Sequence, residues 1–346
     1  MVVIGIDPHK GSHTAVVVDE QEQQLARMKV SAGRSQLSSL LAFASSYPQR
    51  RWAVESADGL GLLVSRQLVE AGEDVVDVPA TLAARVRVLG SGKSSKNDAN
   101  DAHAVAVAAL RRNTVRPVET QGQSTVLRLL ADRHKDLTGL RTQAVCRLHA
   151  LLRDLVAGGV GLGMTATAAA QHLSALPAPM NAVERERQQI ARDLLADLEG
   201  HDAAIRDIKT RIRSAVNEHA SSVNAIHGVG PVVAALIVGH TRDVRRFPTR
   251  HHYASYNGTA PIEASSGDHA RHRLNPRGNR QLNHALHIIA VTQLRRPTPG
   301  RAYYDKKIAE GKSPKEAMRA LRRRISDNVY AHLRADLEHR DAQRDE

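Results

Sequence analysis

Cysteine is almost missing from this chain: Cys146 is the single one among 346 residues. One thiol excludes an intramolecular disulfide framework and any cysteine-built zinc site. That economy fits a reducing cytoplasm. Cys146 lies among Val145, Leu148, Leu151 and Leu152, and this spacing predicts a small hydrophobe packed in a helix interface. Aromatic residues make up 3%, too few for an extended platform on which single-stranded bases stack. No apolar run approaches the ~20 residues of a membrane span. Met1 leads straight into Val-Val-Ile-Gly-Ile-Asp, without the basic stretch and apolar core of a secretory signal. The expectation is a cytoplasmic protein with no membrane partner.

Acid is also in deficit. Lys and Arg total 49 against 36 Asp and Glu, a net charge of +13 with the 18 histidines neutral. An excess of this size points to a polyanionic partner, because neutralising phosphates releases counterions. The excess is not evenly spread. Residues 1–120 hold 14 basic and 13 acidic side chains and residues 121–239 hold 13 and 11, whereas residues 240–346 hold 22 and 12. The basic surface therefore belongs to the C-terminal end, and the N-terminal acids need individual attention.

The N-terminal pattern predicts an α/β domain. Short β-branched runs at 2–6, 14–19, 24–30, 52–55 and 74–78 read as strands, and apolar spacing at 35–46, 60–71 and 97–112 reads as helices. The order βββαβαβ suggests a mixed sheet, a meander followed by right-handed crossovers. A long helix follows at 124–156, then a glycine-rich break, then a strongly charged stretch at 183–216 whose Ile190, Leu194, Ile205, Ile208 and Ile212 suit a coiled coil, an amphipathic arm or a plain surface helix. The chain divides on this reading into residues 1–156, 157–220 and 221–346.

Four acids stand out. Asp7 closes the first strand and Glu55 the fourth; if these strands are parallel neighbours, both acids leave at one sheet edge, where open α/β sheets place their sites. Asp98 and Asp101 lie three apart at a helix start and share a face. A carboxylate ending an apolar strand is costly to bury unless paired or metal-bound. Hard oxygen donors on rigid elements suit Mg2+ or Mn2+, and two such ions about 3.5–4 Å apart can clamp an in-line phosphoryl displacement. Capping is the competing account of Asp98. The ordered set resembles the RuvC-like branch of the RNase H fold, whose nucleases and transposases carry metal on such acids. Three other patterns carry less. Gly90-Ser91-Gly92-Lys93-Ser94 looks like a phosphate loop, but Arg87 stands where a Walker A needs glycine. Lys93 and Lys96 are better read as touching nucleic-acid phosphate or solvent, and Lys10 as a further nucleic-acid contact. Actin-like ATPases share a related fold but need further glycine-rich loops, which are missing. His9 and His13 could form a metal pair, though surface histidines near a nucleic-acid path are the better expectation.

The C-terminal third has its own constellation. Gly228-Val229-Gly230-Pro231 opens an apolar helix, and its backbone N–H groups suit a DNA phosphate as well as they suit an ordinary tight turn. Ser265-Ser266-Gly267 is followed by Arg271, Arg273, Arg277 and Arg280, with Arg322 and Arg323 further on. Arginines fork onto phosphate and stabilise charge developing on a transferring phosphoryl group. A serine in such a nest can attack DNA and form a phosphoserine ester. Its base would be a metal-held carboxylate or water, with His269 and His272 as weaker candidates.

Taken together, Gly5-Ile6-Asp7-Pro8-His9-Lys10, Val54-Glu55-Ser56, Asn97-Asp98-Ala99-Asn100-Asp101, Gly228-Val229-Gly230-Pro231, Gly258-Thr259-Ala260-Pro261, Ser265-Ser266-Gly267 and Arg277-Gly278-Asn279-Arg280-Gln281-Leu282 resemble the DEDD transposases of the IS-one-ten type of bacterial insertion sequences. The resemblance covers nearly the whole chain. It implies an RuvC-like domain, a helical or coiled-coil arm and a mostly α-helical transposase domain with a catalytic serine. It implies excision and insertion of DNA through phosphoserine intermediates, guidance by a structured non-coding RNA, and assembly as dimers or tetramers whose composite site takes acids from one subunit and serine from another. Ser266, beside Gly267, is the expected nucleophile and Ser265 the alternative. Asp7, Glu55, Asp98 and Asp101 are then the metal-holding set. Two other classes of function fit part of the pattern: a metal-only endonuclease of the junction-resolving kind, and a non-catalytic nucleic-acid-binding protein.

Overall fold

Strand β1 (Val2–Pro8) is apolar on both sides because helices cover both faces of the sheet it centres. The computed structural model describes residues 1–91, 98–112, 115–263, 272, 273, 275 and 278–343, with Ser91, Ile262, Glu263, His272 and Arg273 described for their backbone alone. They form two units, residues 1–121 and 122–346.

The first unit is a six-stranded mixed sheet. β1 pairs antiparallel with β2 (Ser12–Val18), which pairs antiparallel with β3 (Gln24–Ser31). On its other side β1 pairs parallel with β4 (Arg50–Glu55), then β4 with β5 (Val75–Val78), and β6 (Arg116–Pro117) closes that edge antiparallel. The sheet order is β3-β2-β1-β4-β5-β6, the meander with crossovers expected from the strand pattern. Helix α1 (Gln36–Ala44) and α2 (Leu62–Glu70) cover one face, where Ile4, Ile6, Trp52 and Val54 meet Leu40, Val64 and Leu68. Helix α3 (Ala80–Ser91) and α4 (Asp98–Arg111) cover the other, where Val3, Ala53, Val76 and Val78 meet Ala83, Ala102, Val105 and Ala106. Helix α3 has no counterpart in the sequence reading, since its Ala-Arg-Val-Arg-Val run lacks a clean apolar stripe.

The second unit is almost entirely helical. Helix α5 (Gln123–Leu155) runs antiparallel to α7 (Ala182–His219): Gln123 reaches the Ala215 carbonyl at 3.3 Å, and Arg141 donates to Asp202 at 2.5 Å. The short α6 (Ala166–Ser174) lies between them in sequence and shares a core with both, including Leu148, Leu152, Ala169 and Leu198. Cys146 is exposed, contrary to the expectation of a packed thiol. Ala144 and Leu148 take the inward positions, and a residue two steps from each lies on the opposite side of a 3.6-residue helix. A second core joins α8 (Pro231–Thr241), α9 (Arg250–Tyr256), α10 (Arg280–Leu294) and α12 (Pro314–Ala342) with the ends of α5 and α7, while α11 (Pro299–Ala309) adds Tyr303 and Tyr304 at its edge. A two-stranded ribbon, β7 (Ile262–Glu263) with β8 (His272–Arg273), pairs Ile262 with Arg273 and Glu263 with His272. Among the described residues, no helix is long and apolar enough to cross a membrane.

Candidate metal centre

One glycine decides how the acids meet. A methyl group on Gly5 would stand 2.1 Å from the Ala102 carbonyl oxygen and 2.7 Å from the Ala106 nitrogen, so α4 crosses directly over β1. Two residues along the same face comes Asp7, and the first turn of α4 above it carries Asp98 and Asp101. The last parallel pair is Ile6 with Val54, so Asp7 and Glu55 leave neighbouring strands one step further on. Ser56, directly after Glu55, has φ of 49°, which turns the chain out of the sheet at once. The four acids are thus brought to one edge, and each of the other three raises the Asp7 pKa by its negative charge.

Asp7 is buried at 6% exposure. Its pKa is pushed up to about 6, chiefly by burial, against the opposing pull of His9 and with the push of Glu55, Asp101 and Asp98. Its Oδ2 has no hydrogen-bond partner among the described residues. Asp98 is half-buried and tied to Lys29 Nζ at 3.2 Å, which holds its carboxyl below the usual range. Asp101 is buried and accepts from the Arg87 guanidinium. Protein cations therefore take up part of the charge on the α4 acids, while a buried oxygen of Asp7 has no hydrogen-bond partner among the described residues. The residues present fit a divalent cation, since the donors are the hard carboxylate oxygens such ions prefer.

The two histidines part company. His9 lies in the β1–β2 turn with Nδ1 3.6 Å from Asp7 Oδ2 and Nε2 3.6 Å from Asp98 Oδ1. Donor atoms of Asp7, His9 and Asp98 all lie within 4.8 Å of one another. His13 is buried instead, bonded to Gln36 at 3.0 Å, and burial lowers its pKa. The two are not a metal pair, and His13 is not a surface residue. The signal for His9 was its place two residues after Asp7 at a strand end.

The basic residues divide as well. Lys10 is exposed in the β1–β2 turn. Lys93, Lys96, Ser265, Ser266, His269, Arg271 and Arg277 lie outside the described residues, and of Arg273 and His272 only the ribbon pairing is described. Gly228 takes φ of 93°, and Gly230 caps α8 without a side-chain hydrogen bond, with Pro231 in the first turn. Arg280 is exposed at the start of α10. Arg322 is turned into the fold, where its guanidinium bonds the Asn283 side chain and reaches the Asn283 carbonyl at 3.3 Å. Arg323 meets Asp327 at 3.1 Å and His251 Nδ1 at 3.1 Å.

Asn283 belongs to a polar scaffold at the foot of the ribbon. It donates to the Asn257 carbonyl at 3.0 Å, and Asn257 donates to Ser326 at 2.8 Å while its Oδ1 accepts from Thr259. Gly278 packs on Gly258, where a methyl group would stand 2.5 Å from the Gly258 Cα. Both stems flanking residues 264–271 are thereby tied to α10 and α12. Sequence reasoning missed Asn257, Asn283 and Ser326, because nothing local marks an amide or hydroxyl whose partner is 26 to 69 residues away.

Residues 4–156 match the model of a DEDD transposase family, and residues 220–305 match that of the transposase IS116/IS110/IS902 family. The chain is 28% identical to the 44.8 kDa protein of insertion element IS116 of Streptomyces clavuligerus, over 96% of this chain and 94% of that protein. It is 27% identical to the 42 kDa protein of insertion element IS900 of Mycobacterium paratuberculosis, over 95% of each. It is also 27% identical to the transposase of insertion sequence element IS1111A of Coxiella burnetii, over 74% of this chain and 71% of that protein. Among solved structures, Thermus thermophilus RuvC in complex with a Holliday junction substrate aligns at 21% identity and a TM-score of 0.27, covering 34% of this chain and 99% of that one. With family models matching at both ends and relatives aligned across nearly its full length, the chain belongs to the IS116/IS110/IS902 family of insertion-element transposases.

Proposed function

We propose that the chain cuts and rejoins DNA by metal-assisted transesterification, with an RuvC-like acid site in residues 1–121 and a serine nucleophile in the loop carried by the β7–β8 ribbon. The observation that carries this reading is the convergence of Asp7, Glu55, Asp98 and Asp101 on one sheet edge around a buried carboxylate oxygen that lacks a hydrogen-bond partner among the described residues. Asp7, Asp98 and Glu55, with Asp101 behind them, would hold Mg2+ or Mn2+. Such an ion, when bound, neutralises charge that builds on the phosphoryl oxygens.

The remaining work falls to the chain's own groups. Ser266, with Ser265 as the alternative, attacks phosphorus through its hydroxyl oxygen and gives up its proton. The departing deoxyribose hydroxyl takes up a proton, so one phosphate ester replaces another. That exchange conserves the ester bond and needs no nucleotide triphosphate. Arg271, Arg273, Arg277 and Arg280 neutralise phosphate, and Lys10, Lys93, Lys96 and the Gly228–Gly230 turn grip the backbone. Arg322 holds Asn283 from within the fold, and Arg323 is tied to Asp327 and His251. Sequence reading by a structured RNA partner, and assembly into dimers or tetramers with composite sites, complete the proposal. The scarcity of aromatic side chains supports it, since such a protein grips backbone and leaves base recognition to pairing.

Denaturant quenching of the reaction on element-end DNA tests this. Wild type gives DNA covalently joined to protein; Ser266→Ala abolishes the adduct and Ser265→Ala leaves it. An adduct that survives both substitutions sinks the serine mechanism. Cut DNA with no adduct at any time point favours metal-only hydrolysis.

A further inference from the structure

Between Asp7 and Asp98 stands an imidazole that neither carboxylate holds by a hydrogen bond. Both ring nitrogens of His9 are 3.6 Å from a carboxylate oxygen, beyond hydrogen-bond reach. The ring is not placed there by chance motion of a loop. The His9 N–H donates to the Ser12 carbonyl at 2.9 Å, Pro8 precedes it, and Pro8 and His13 form the last pair of the β1–β2 ladder. The turn is short and closed, so His9 is held at the mouth of the acid site.

One donor atom from each of Asp7, His9 and Asp98 lies within 4.8 Å of the other two, close enough for the three to serve one ion. His9 faces Asp7 with Nδ1 and Asp98 with Nε2, each at 3.6 Å, so one of the two nitrogens would serve as the ligand. The neighbouring charges point the same way. Lys29 engages Asp98 Oδ2, which leaves Asp98 Oδ1 toward His9, and Arg87 engages Asp101. Asp7 Oδ2, the buried oxygen lacking a hydrogen-bond partner among the described residues, faces the Nδ1 side of His9. Two carboxylates and one imidazole therefore offer donor atoms within reach of one ion.

We propose that His9 supplies a nitrogen ligand to the divalent ion held by Asp7 and Asp98, and so makes this a mixed nitrogen–oxygen site that favours Mn2+ over Ca2+ and Mg2+. This rests on the metal reading above and adds a donor to it. The selectivity follows from ligand softness. Ca2+ and Mg2+ take oxygen almost exclusively, whereas imidazole suits the transition metals. An all-carboxylate site gives Mn2+ no such advantage.

The test uses the full chain and Mn2+ itself, followed by electron paramagnetic resonance. Bound Mn2+ in wild type shows nuclear modulation from a directly coordinated nitrogen-14. His9→Ala removes that modulation and weakens Mn2+ binding about tenfold, while Ca2+, read by competition, changes less than about threefold. His9→Asn, which keeps a polar side chain in the turn, behaves as His9→Ala does, and circular dichroism confirms that both variants fold. Asp7→Asn abolishes the bound signal. Nitrogen modulation that persists in His9→Ala, or that is missing from wild type with Mn2+ bound, overturns the ligand role and leaves the acid site standing. Equal losses for Ca2+ and Mn2+ also overturn it, since a purely electrostatic His9 would do that. Failure of wild type to bind Mn2+ at all overturns both readings.

Discussion

Asp7 answers to two opposed demands. Folding must bury it, because it ends the central strand under α4, and burial disfavours its charge. Metal binding needs that charge. The rise of its pKa to about 6, caused chiefly by burial, reflects the conflict. Because the folded value lies above the ordinary 3.8, the folded state holds its proton more tightly than the unfolded chain does. Stability therefore falls as pH rises between these values, and the cost is complete above about pH 6, at roughly 3 kcal/mol. Asp7→Asn removes the cost. In a chelator at pH 8 it raises stability by about 2–3 kcal/mol, and near pH 3.5 it has little effect. Urea unfolding followed by Trp52 fluorescence checks this, since Trp52 is the only tryptophan and is fully buried in the first unit. The same substitution abolishes DNA cleavage and the stabilisation that added Mn2+ gives wild type. A gain in stability paired with a loss of activity marks a residue kept for chemistry.

At the scale of elements, the site depends on how closely α4 lies on β1. Gly5 permits that approach, and the small side chains Ala102 and Ala106 continue it on the helix. Gly5→Ala forces the two apart. Its methyl group has no space before the Ala102 carbonyl, so the expected cost is about 2–3 kcal/mol. The larger effect is on geometry, because Asp98 and Asp101 ride on the first turn of α4 and move with it. Cleavage and Mn2+ affinity both drop at least tenfold, while the circular dichroism spectrum keeps its shape. Wild-type activity in Gly5→Ala would disprove this coupling. The ribbon stems depend on a different device. There the Asn257–Asn283–Ser326 scaffold uses hydrogen bonds, where β1 and α4 use close packing.

Across the whole molecule, the surplus of positive charge serves two purposes. The +10 carried by residues 240–346 includes side chains aimed at solvent and side chains spent inside the fold. Arg280 is exposed at the head of α10, whereas Arg322 bonds Asn283 and is moved below the usual guanidinium range by burial. Arg280→Gln lowers the slope of log affinity for DNA against log salt by about 1. Arg322→Gln leaves that slope unchanged and costs about 1–3 kcal/mol of stability in chemical denaturation. Identical salt slopes for the two variants would mean that both reach phosphate. Net charge thus overstates the number of phosphate contacts, and only the partner of each arginine tells which kind it is.

Local chemistry determined much of this protein before any contact was known. Short β-branched runs bounded by turn residues set the five long strands, and strand-end acids marked Asp7 and Glu55, because these signals depend on residues a few positions apart. Helix α3 escaped, since arginines interrupt its apolar spacing. Tertiary structure alone decided the rest. It placed His9 between Asp7 and Asp98 and sent His13 into the interior, turned Cys146 to solvent, and bound Arg322 to Asn283. In each case the side chain's chemistry was legible and its partner was not. A partner many residues distant along the chain is chosen by packing, and packing is a property of the folded whole.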